Sequence, residues 1–353
     1  MKILIELYDH RYDVWNYPDW ALGETKALAY DHEVISVVSD EQLLEHLPTT
    51  EVYFGWHIPE ERFHLCENLK WLHSASADPS DQLYDKFIES KIKLSISRAT
   101  RASSMAEHVL GMMLYFARGF HICIRAQMRA HYAKGGAWDH FPFFRELNDS
   151  TLGIIGLGRI GKELAWRGKS LGMKVIATTQ RDPSDRPEFV DELYGPEGLP
   201  LLLDDSDFLV CCIPETGDKE YIIGYEEFKQ MKKTAYFFNV GRGSAVNEDE
   251  LVEALMDKLI AGAGLDSFEH EPLPGESYLW RMEGTLITPG ISGIGPHFWK
   301  RTHDLFLDNL RRYLSDEPLE DVVDKISWRI AIDEGLLKKH QQELEKETGE
   351  EFD

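Results

Sequence analysis

Four places in this chain of 353 residues carry side chains whose type and setting point to chemistry. Three are charged residues at or just beyond the ends of short apolar runs: Arg242 in "FFNVGRG", Asp266 in "GAGLDSF" and Glu271 in "EHEP". Open α/β sheets bind ligands at the C-terminal ends of their strands, so a common site explains these charges better than scattered surface charge does. The fourth is Gly156-x-Gly158-x-x-Gly161, placed between the apolar run 152–155 and a stretch of helical spacing. Gly156 permits a tight turn, Gly158 lets a pyrophosphate approach backbone N–H groups at the helix start, and Gly161 lets helix and strand pack closely. Arg159 and Ile160 lie inside the same turn, and a second apolar run, 175–177, completes a strand–turn–helix–strand unit. In that setting the motif is expected to bind a dinucleotide.

The choice of dinucleotide is written at the end of the second run. An acidic residue about twenty positions beyond the glycines normally accepts hydrogen bonds from the adenosine ribose. Here Thr179 stands 18 positions beyond Gly161, with Arg181 two residues later. A hydroxyl and a guanidinium suit a 2'-phosphate better than a free 2'-hydroxyl, so NADP is favoured over NAD, with Asp182 able to reverse the preference by turning inward. A further strand, "DFLVCCIPET", ends in Pro214, which is expected to line the same cofactor site.

These residues need rigid elements to position them. Before residue 100, "KILIEL", "EVISVV", "EVYFGW", "LKWLHSAS" and "IKLSIS" read as strands, and "DEQLLEHL" has helical spacing with an acidic start. Such alternation implies a parallel α/β unit. In "SSMAEHVLGMMLYFARGF", Ser104 and Glu107 have the spacing of a capping box ahead of a long apolar helix that crosses into a second domain. Asn247 is placed to cap a helix after the Gly241-Arg242-Gly243 turn.

Composition bounds the partners. The net charge of −24 argues against nucleic acid and anionic membrane as partners, since like charge repels at long range, and an anionic substrate would need a locally positive pocket. No stretch of about eighteen apolar residues appears and "MKILIELYDH" has no signal-peptide character, so a cytoplasmic address is expected. Cys66, Cys123, Cys211 and Cys212 show neither CxxC spacing nor a disulfide framework; they are expected to be reduced and mostly buried, and no metal site is suggested. From Ala331 to Asp353, eight acidic residues face three basic ones, which reads as a solvated helix or frayed end.

Taken in order, "AEHVLGMML", "ELNDSTLGIIGLGRIG", "FFNVGRGSAVNEDELVEAL", "GAGLDSFEHEPLP" and "LFLDNLRRYLSDEPLEDVVD" resemble the D-isomer-specific 2-hydroxyacid dehydrogenases. That group includes glyoxylate/hydroxypyruvate reductases, phosphoglycerate dehydrogenases and related transcriptional corepressors. The resemblance covers nearly the whole chain. It implies two doubly wound parallel-sheet α/β domains, a Rossmann cofactor domain inserted into a flavodoxin-like substrate domain. The substrate domain would span 1–102 and 291–330, the cofactor domain 103–290 and an acidic tail 331–353. It further implies a homodimer formed through the cofactor domains and a small 2-oxo or 2-hydroxy acid as substrate. Carried over by motif, Arg242 is the arginine that pairs with the substrate's carboxylate and carbonyl oxygen, a match for its planar fork. Asp266 matches the residue beside the nicotinamide carboxamide, and Glu271 the carboxylate that pairs with a catalytic histidine and raises its pKa. Ser76 and Ala77, in "SASADPSDQL", match the turn whose backbone N–H groups receive the substrate carboxylate.

Two departures stand out. The family's histidine follows Thr-Pro directly, and here that position is Gly290. Hydride delivery to a carbonyl carbon leaves an alkoxide that must be protonated, and a positioned acid contributes roughly 10²–10⁴-fold. Glu271 can act alone only if burial raises its pKa, against the effect of a nearby Arg242; His297, seven residues beyond Gly290 at the start of the final helix, is the other candidate. In the substrate turn, Asp78 replaces a glycine and Pro79 follows, which sets an anion beside a carboxylate site unless it points away. Three readings follow: an NADP-preferring 2-hydroxyacid dehydrogenase, a non-redox lyase, hydratase or isomerase on the same scaffold, or a dinucleotide-binding regulatory protein.

Overall fold

The computed structural model describes residues 1–139, 144–213 and 222–329. Pro214 and the acidic tail lie outside the described residues. The described residues form two compact units, one of Met1–Thr100 and Pro296–Arg329, the other of Arg101–Gly295.

The first unit opens with β1 (Lys2–Glu6), α1 (Asp19–Leu28), β2 (Glu33–Ser36), α2 (Asp40–His46), β3 (Val52–Gly55), β4 (Trp71–Ser74), α3 (Asp85–Glu89) and β5 (Lys93–Ile96). Each strand falls inside one of the five runs named above, and α2 is capped by Ser39, whose side chain accepts from the Gln42 N–H. The strands form one parallel sheet in the order β2-β1-β3-β4-β5, the flavodoxin-like order. All residues of β3 and β4 are buried, as expected of parallel strands covered on both faces.

The second unit begins with α4 (Ala102–Ala117), α5 (Phe120–Met128) and α6 (Lys134–Asp139). There follow β6 (Thr151–Ile155), α7 (Arg159–Ser170), β7 (Lys174–Thr178), β8 (Glu192–Tyr194), α8 (Leu199–Asp205), β9 (Phe208–Cys211) and α9 (Tyr225–Gln230). The unit closes with β10 (Tyr236–Asn239), α10 (Glu248–Met256), β11 (Gly262–Leu265) and β12 (Thr285–Ile287). Its seven strands are parallel in the order β12-β11-β10-β9-β6-β7-β8, a Rossmann sheet with one added strand. Asn247 caps α10 by accepting from the Glu250 N–H, as expected.

The expected capping box of Ser104 and Glu107 does not form. Helix α4 starts three residues earlier, with Arg101 at its N-cap and no side-chain cap, so Ser104 already lies inside the first turn. Glu107 instead meets Arg167 of α7 at 3.4 Å, and Arg167 also donates to Ser103 Oγ at 2.6 Å. These bonds fasten α4 to the helix of the glycine motif.

After Pro296 the chain returns to the first unit through α11 (Phe298–Leu314). Phe306 stacks on Phe54 of β3 with ring centroids 4.1 Å apart and on Trp71 of β4 at 5.8 Å, while Trp299 Nε1 donates to Val14 O. Trp56, at the end of β3, stacks with Phe298 and meets Trp15 edge-on. All four cysteines are free thiols; Cys211 and Cys212 are buried and Cys66 half-buried, but Cys123 is exposed because its side chain falls on the outer face of α5. No single helix among the described residues is long and apolar enough to cross a membrane.

Candidate active site

Because every strand of the second unit is parallel, all its strand-end loops leave one edge of the sheet. The glycine motif opens that edge. Gly156 takes φ +91° and Gly158 is the N-cap of α7 with no side-chain cap. A Cβ built on Gly158 meets nothing within 4 Å, whereas one on Gly161 would lie 2.5 Å from Gly156 O. The helix N-terminus is thus open at the glycine where a pyrophosphate must approach and closed where helix and strand must touch. Residues Gly156 to Gly161, including Arg159 and Ile160, fit a dinucleotide phosphate.

At the far end of that cradle Thr179 is buried and its Oγ1 accepts from the Arg181 N–H at 3.1 Å. Arg181 is exposed. Asp182 spends its carboxylate on the Ser184 N–H at 2.9 Å, capping a short 3-10 turn. That bond and the Ser184 hydroxyl hold its carboxyl below the usual range, and they turn it to its own loop.

The Arg242 loop is pinned by a close approach. A Cβ on Gly243 would sit 1.8 Å from Phe268 O, so only glycine lets this loop lie against the one after β11. Ser267 Oγ donates to Gly241 O at 3.0 Å, and Asn239 Nδ2 donates to Arg242 O at 3.1 Å. Arg242 is half-buried. In the adjoining loop Glu271 is exposed and its Oε1 accepts from the Phe268 N–H at 3.1 Å. The structure therefore joins Arg242 and Glu271 through two bonded loops.

Asp266 lies at the end of β11 and is buried. Its Oδ1 accepts from Thr288 Oγ1 at 2.6 Å and from the Ile291 N–H at 3.0 Å, and its Oδ2 from the Ser292 N–H at 2.9 Å. These bonds fold the segment after β12 around the carboxylate. Gly290 sits in that turn with φ +68°, its N–H donating to Asp266 O at 3.0 Å, and a Cβ there would meet only Asp266 O at 3.9 Å. His108 on α4 completes the cluster: its Nε2 lies 3.0 Å from Thr288 Oγ1 and 3.7 Å from Asp266 Oδ1. Sequence reasoning missed His108. The only signal was a single histidine on a mostly apolar helix.

Ser76, Ala77 and His297 belong to the other unit. The Ser76 N–H donates to Ser74 Oγ and its carbonyl accepts from Ser97, so that donor is spent within the unit; Ala77 is exposed, with no described residue accepting from its N–H. Asp78 Oδ1 accepts from the Ser80 N–H at 2.9 Å and the Ser80 hydroxyl at 2.6 Å, so it caps the following turn. His297 is exposed at the N-cap of α11.

Fold and strand-edge site together define a dinucleotide-binding α/β protein with an arginine and two carboxylates at the binding edge. The comparisons with known proteins narrow this. The sequence model of the "D-isomer specific 2-hydroxyacid dehydrogenase, NAD binding domain" matches residues 110–292. A glyoxylate/hydroxypyruvate reductase B of Pectobacterium carotovorum is 33% identical over 248 residues, 68% of this chain and 74% of that protein. A glyoxylate reductase of Korarchaeum cryptofilum is 36% identical over 177 residues; that match covers 50% of this chain and spans only about half, 52%, of the relative. Among solved structures, the NADPH-dependent glyoxylate/hydroxypyruvate reductase of Sinorhizobium meliloti in complex with NADP and sulfate aligns with a TM-score of 0.74. Its identity is 25%, and the alignment covers 92% of this chain and 98% of that one. The chain belongs to the D-isomer-specific 2-hydroxyacid dehydrogenases, a family of NAD(P)-dependent oxidoreductases.

Proposed function

We propose that the protein is an NADP-preferring 2-oxo acid reductase that works as a homodimer in the cytoplasm. The observation that carries the reading is the glycine-locked Arg242 loop on the sheet edge that also presents the Gly156–Gly161 turn. A guanidinium fixed there can hold a substrate carboxylate and the neighbouring carbonyl oxygen with its planar fork. A bound nicotinamide dinucleotide supplies the hydride. Arg242 draws the carbonyl electron pair toward its oxygen and Asp266 anchors the carboxamide end of the cofactor; of the Ser76–Ala77 turn in the other unit, only the Ala77 N–H is left to serve a substrate carboxylate, because that of Ser76 is taken by Ser74. The alkoxide then takes a proton, for which Glu271 and His297 are the side chains assigned, although Glu271 is exposed and lacks the burial that would favour it as the acid. The domain roles follow: 103–290 holds the cofactor, while 1–102 and 291–330 hold the substrate.

Preference for NADP rests on Arg181 beside Thr179 and on Asp182 being engaged by Ser184. The Sinorhizobium relative was solved with NADP, which agrees with this reading. The homodimer rests on α5, where Phe120, Ile124 and Met128 form an exposed apolar stripe at i, i+4, i+8. No observation favours the non-redox or regulatory readings.

The test is NADPH and NADH oxidation with glyoxylate, hydroxypyruvate and bulkier 2-oxo acids, run beside Gly290→His, Glu271→Gln and His297→Ala. We expect faster turnover with NADPH and loss of activity in one of the last two variants. Inert native protein that Gly290→His converts into a fast reductase would overturn the reading.

A further inference from the structure

The cluster around Asp266 contains a residue to which neither the family resemblance nor the comparisons assign a role. We propose that His108 is a positioning residue for the nicotinamide end of the cofactor, acting through Thr288 on Asp266; this rests on the reading above that Asp266 anchors the carboxamide.

The argument is one of counting hydrogens. A carboxylate accepts only, so in the 2.6 Å contact between Thr288 and Asp266 the hydroxyl is the donor. The hydroxyl has one hydrogen, and its alternative acceptor, Leu265 O, is farther away at 3.4 Å. Thr288 Oγ1 is therefore an acceptor toward His108 Nε2 at 3.0 Å, which assigns the ring hydrogen to Nε2. The chain of bonds then runs in one direction, His108 to Thr288 to Asp266. Remove the imidazole, and the bond to Asp266 is left alone to hold the hydroxyl against rotation toward Leu265 O.

Asp266 offers about four lone-pair positions, and three are filled by Thr288, Ile291 and Ser292. One position remains for an amide donor. His108 thus acts two bonds away from the ligand, by holding the third donor in place so that the fourth position faces one way. The link spans 180 residues, from α4 to the segment after β12, and joins the two sides of the second unit's sheet edge.

Equilibrium binding of NADPH and of ADP-ribose 2'-phosphate, which lacks the nicotinamide, separates positioning from general damage. We expect His108→Leu to weaken NADPH binding about tenfold and leave ADP-ribose 2'-phosphate unchanged. His108→Gln, whose Nε2 can donate in the same direction, should bind NADPH within about threefold of the native protein. Thr288→Val breaks the same link from its other side, and should repeat the His108→Leu pattern even if that variant folds poorly. Unchanged NADPH binding in both breaking variants, or equal losses for the two ligands, overturns the proposal. Native protein that binds ADP-ribose 2'-phosphate but gains nothing from the nicotinamide removes the Asp266 reading beneath it, and native protein that binds neither removes the cofactor assignment.

Discussion

Gly290 combines two properties that usually oppose each other: open space around its missing side chain and a left-handed backbone that resists one. A Cβ at this position strains the backbone by about 1 kcal/mol but meets no steric obstacle. Gly290→Ala is therefore expected to lower the melting temperature by roughly 2–4 °C without disturbing the loop, read by calorimetry. A drop of more than about 10 °C would mean that Asp266 cannot tolerate a side chain in its turn. The same strain attends Gly290→His, so any activity gained there comes at a small, measurable loss of stability. At this scale the sequence was only partly legible. The family pattern announced a missing histidine after Thr-Pro. The histidine that does lie near that turn, His108, comes from a helix far back in the chain, and no local pattern reports such a contact.

Single elements carry the next prediction. At the C-terminal end of β1, Glu6 pairs across the sheet with Gly55 and accepts from Tyr53 Oη at 2.7 Å. Burial pushes its carboxyl up to about 7 from 4.5, an effect larger than the opposing bond from Tyr53. The folded state thus binds a proton more tightly than the unfolded chain. Its contribution to stability is complete below about 4.5 and is lost as pH rises through about 7. Glu6→Gln should therefore stabilise the protein near pH 8, by on the order of 2–3 kcal/mol in denaturant unfolding, with the gain vanishing toward pH 5. A gain that is flat with pH would refute the assignment. On the acid side His73 contributes, buried on β4 between Ser95 and Ser97: burial pushes its imidazole down to about 3, and its contribution is lost as pH falls from 6.5 toward 3. The strands themselves were legible because both sheets are covered on both faces and read as short apolar runs. Helix starts were less so: Asn247 capped where expected, but Ser104 did not, because α4 begins before its best capping residue and Arg167 takes up the neighbouring side chains. Asp78 was legible as an anomaly, but its bonds to Ser80, which make it a turn cap, needed the coordinates.

At the scale of the whole molecule, a dimer through α5 makes a simple prediction. Replacing Ile124 and Met128 together by Glu places two charges on the exposed apolar stripe and should shift the mass in solution from twice 40.6 kDa to 40.6 kDa. Light scattering reads this directly, and a native protein of 40.6 kDa would end the dimer proposal. The division of the chain also has a consequence in time. Phe54 and Trp71 are covered by Phe306 of α11, and Val14 is tied to Trp299, so this sheet waits for a helix translated much later in the chain. Nearly 200 residues separate them, which at about 5–20 residues per second is some 10–40 s of synthesis. Only at the end of that interval is the intervening unit complete enough to fold as a whole, and until then residues 1–100 stay on the ribosome with their apolar face bare, the stage at which a chaperone would find most to hold.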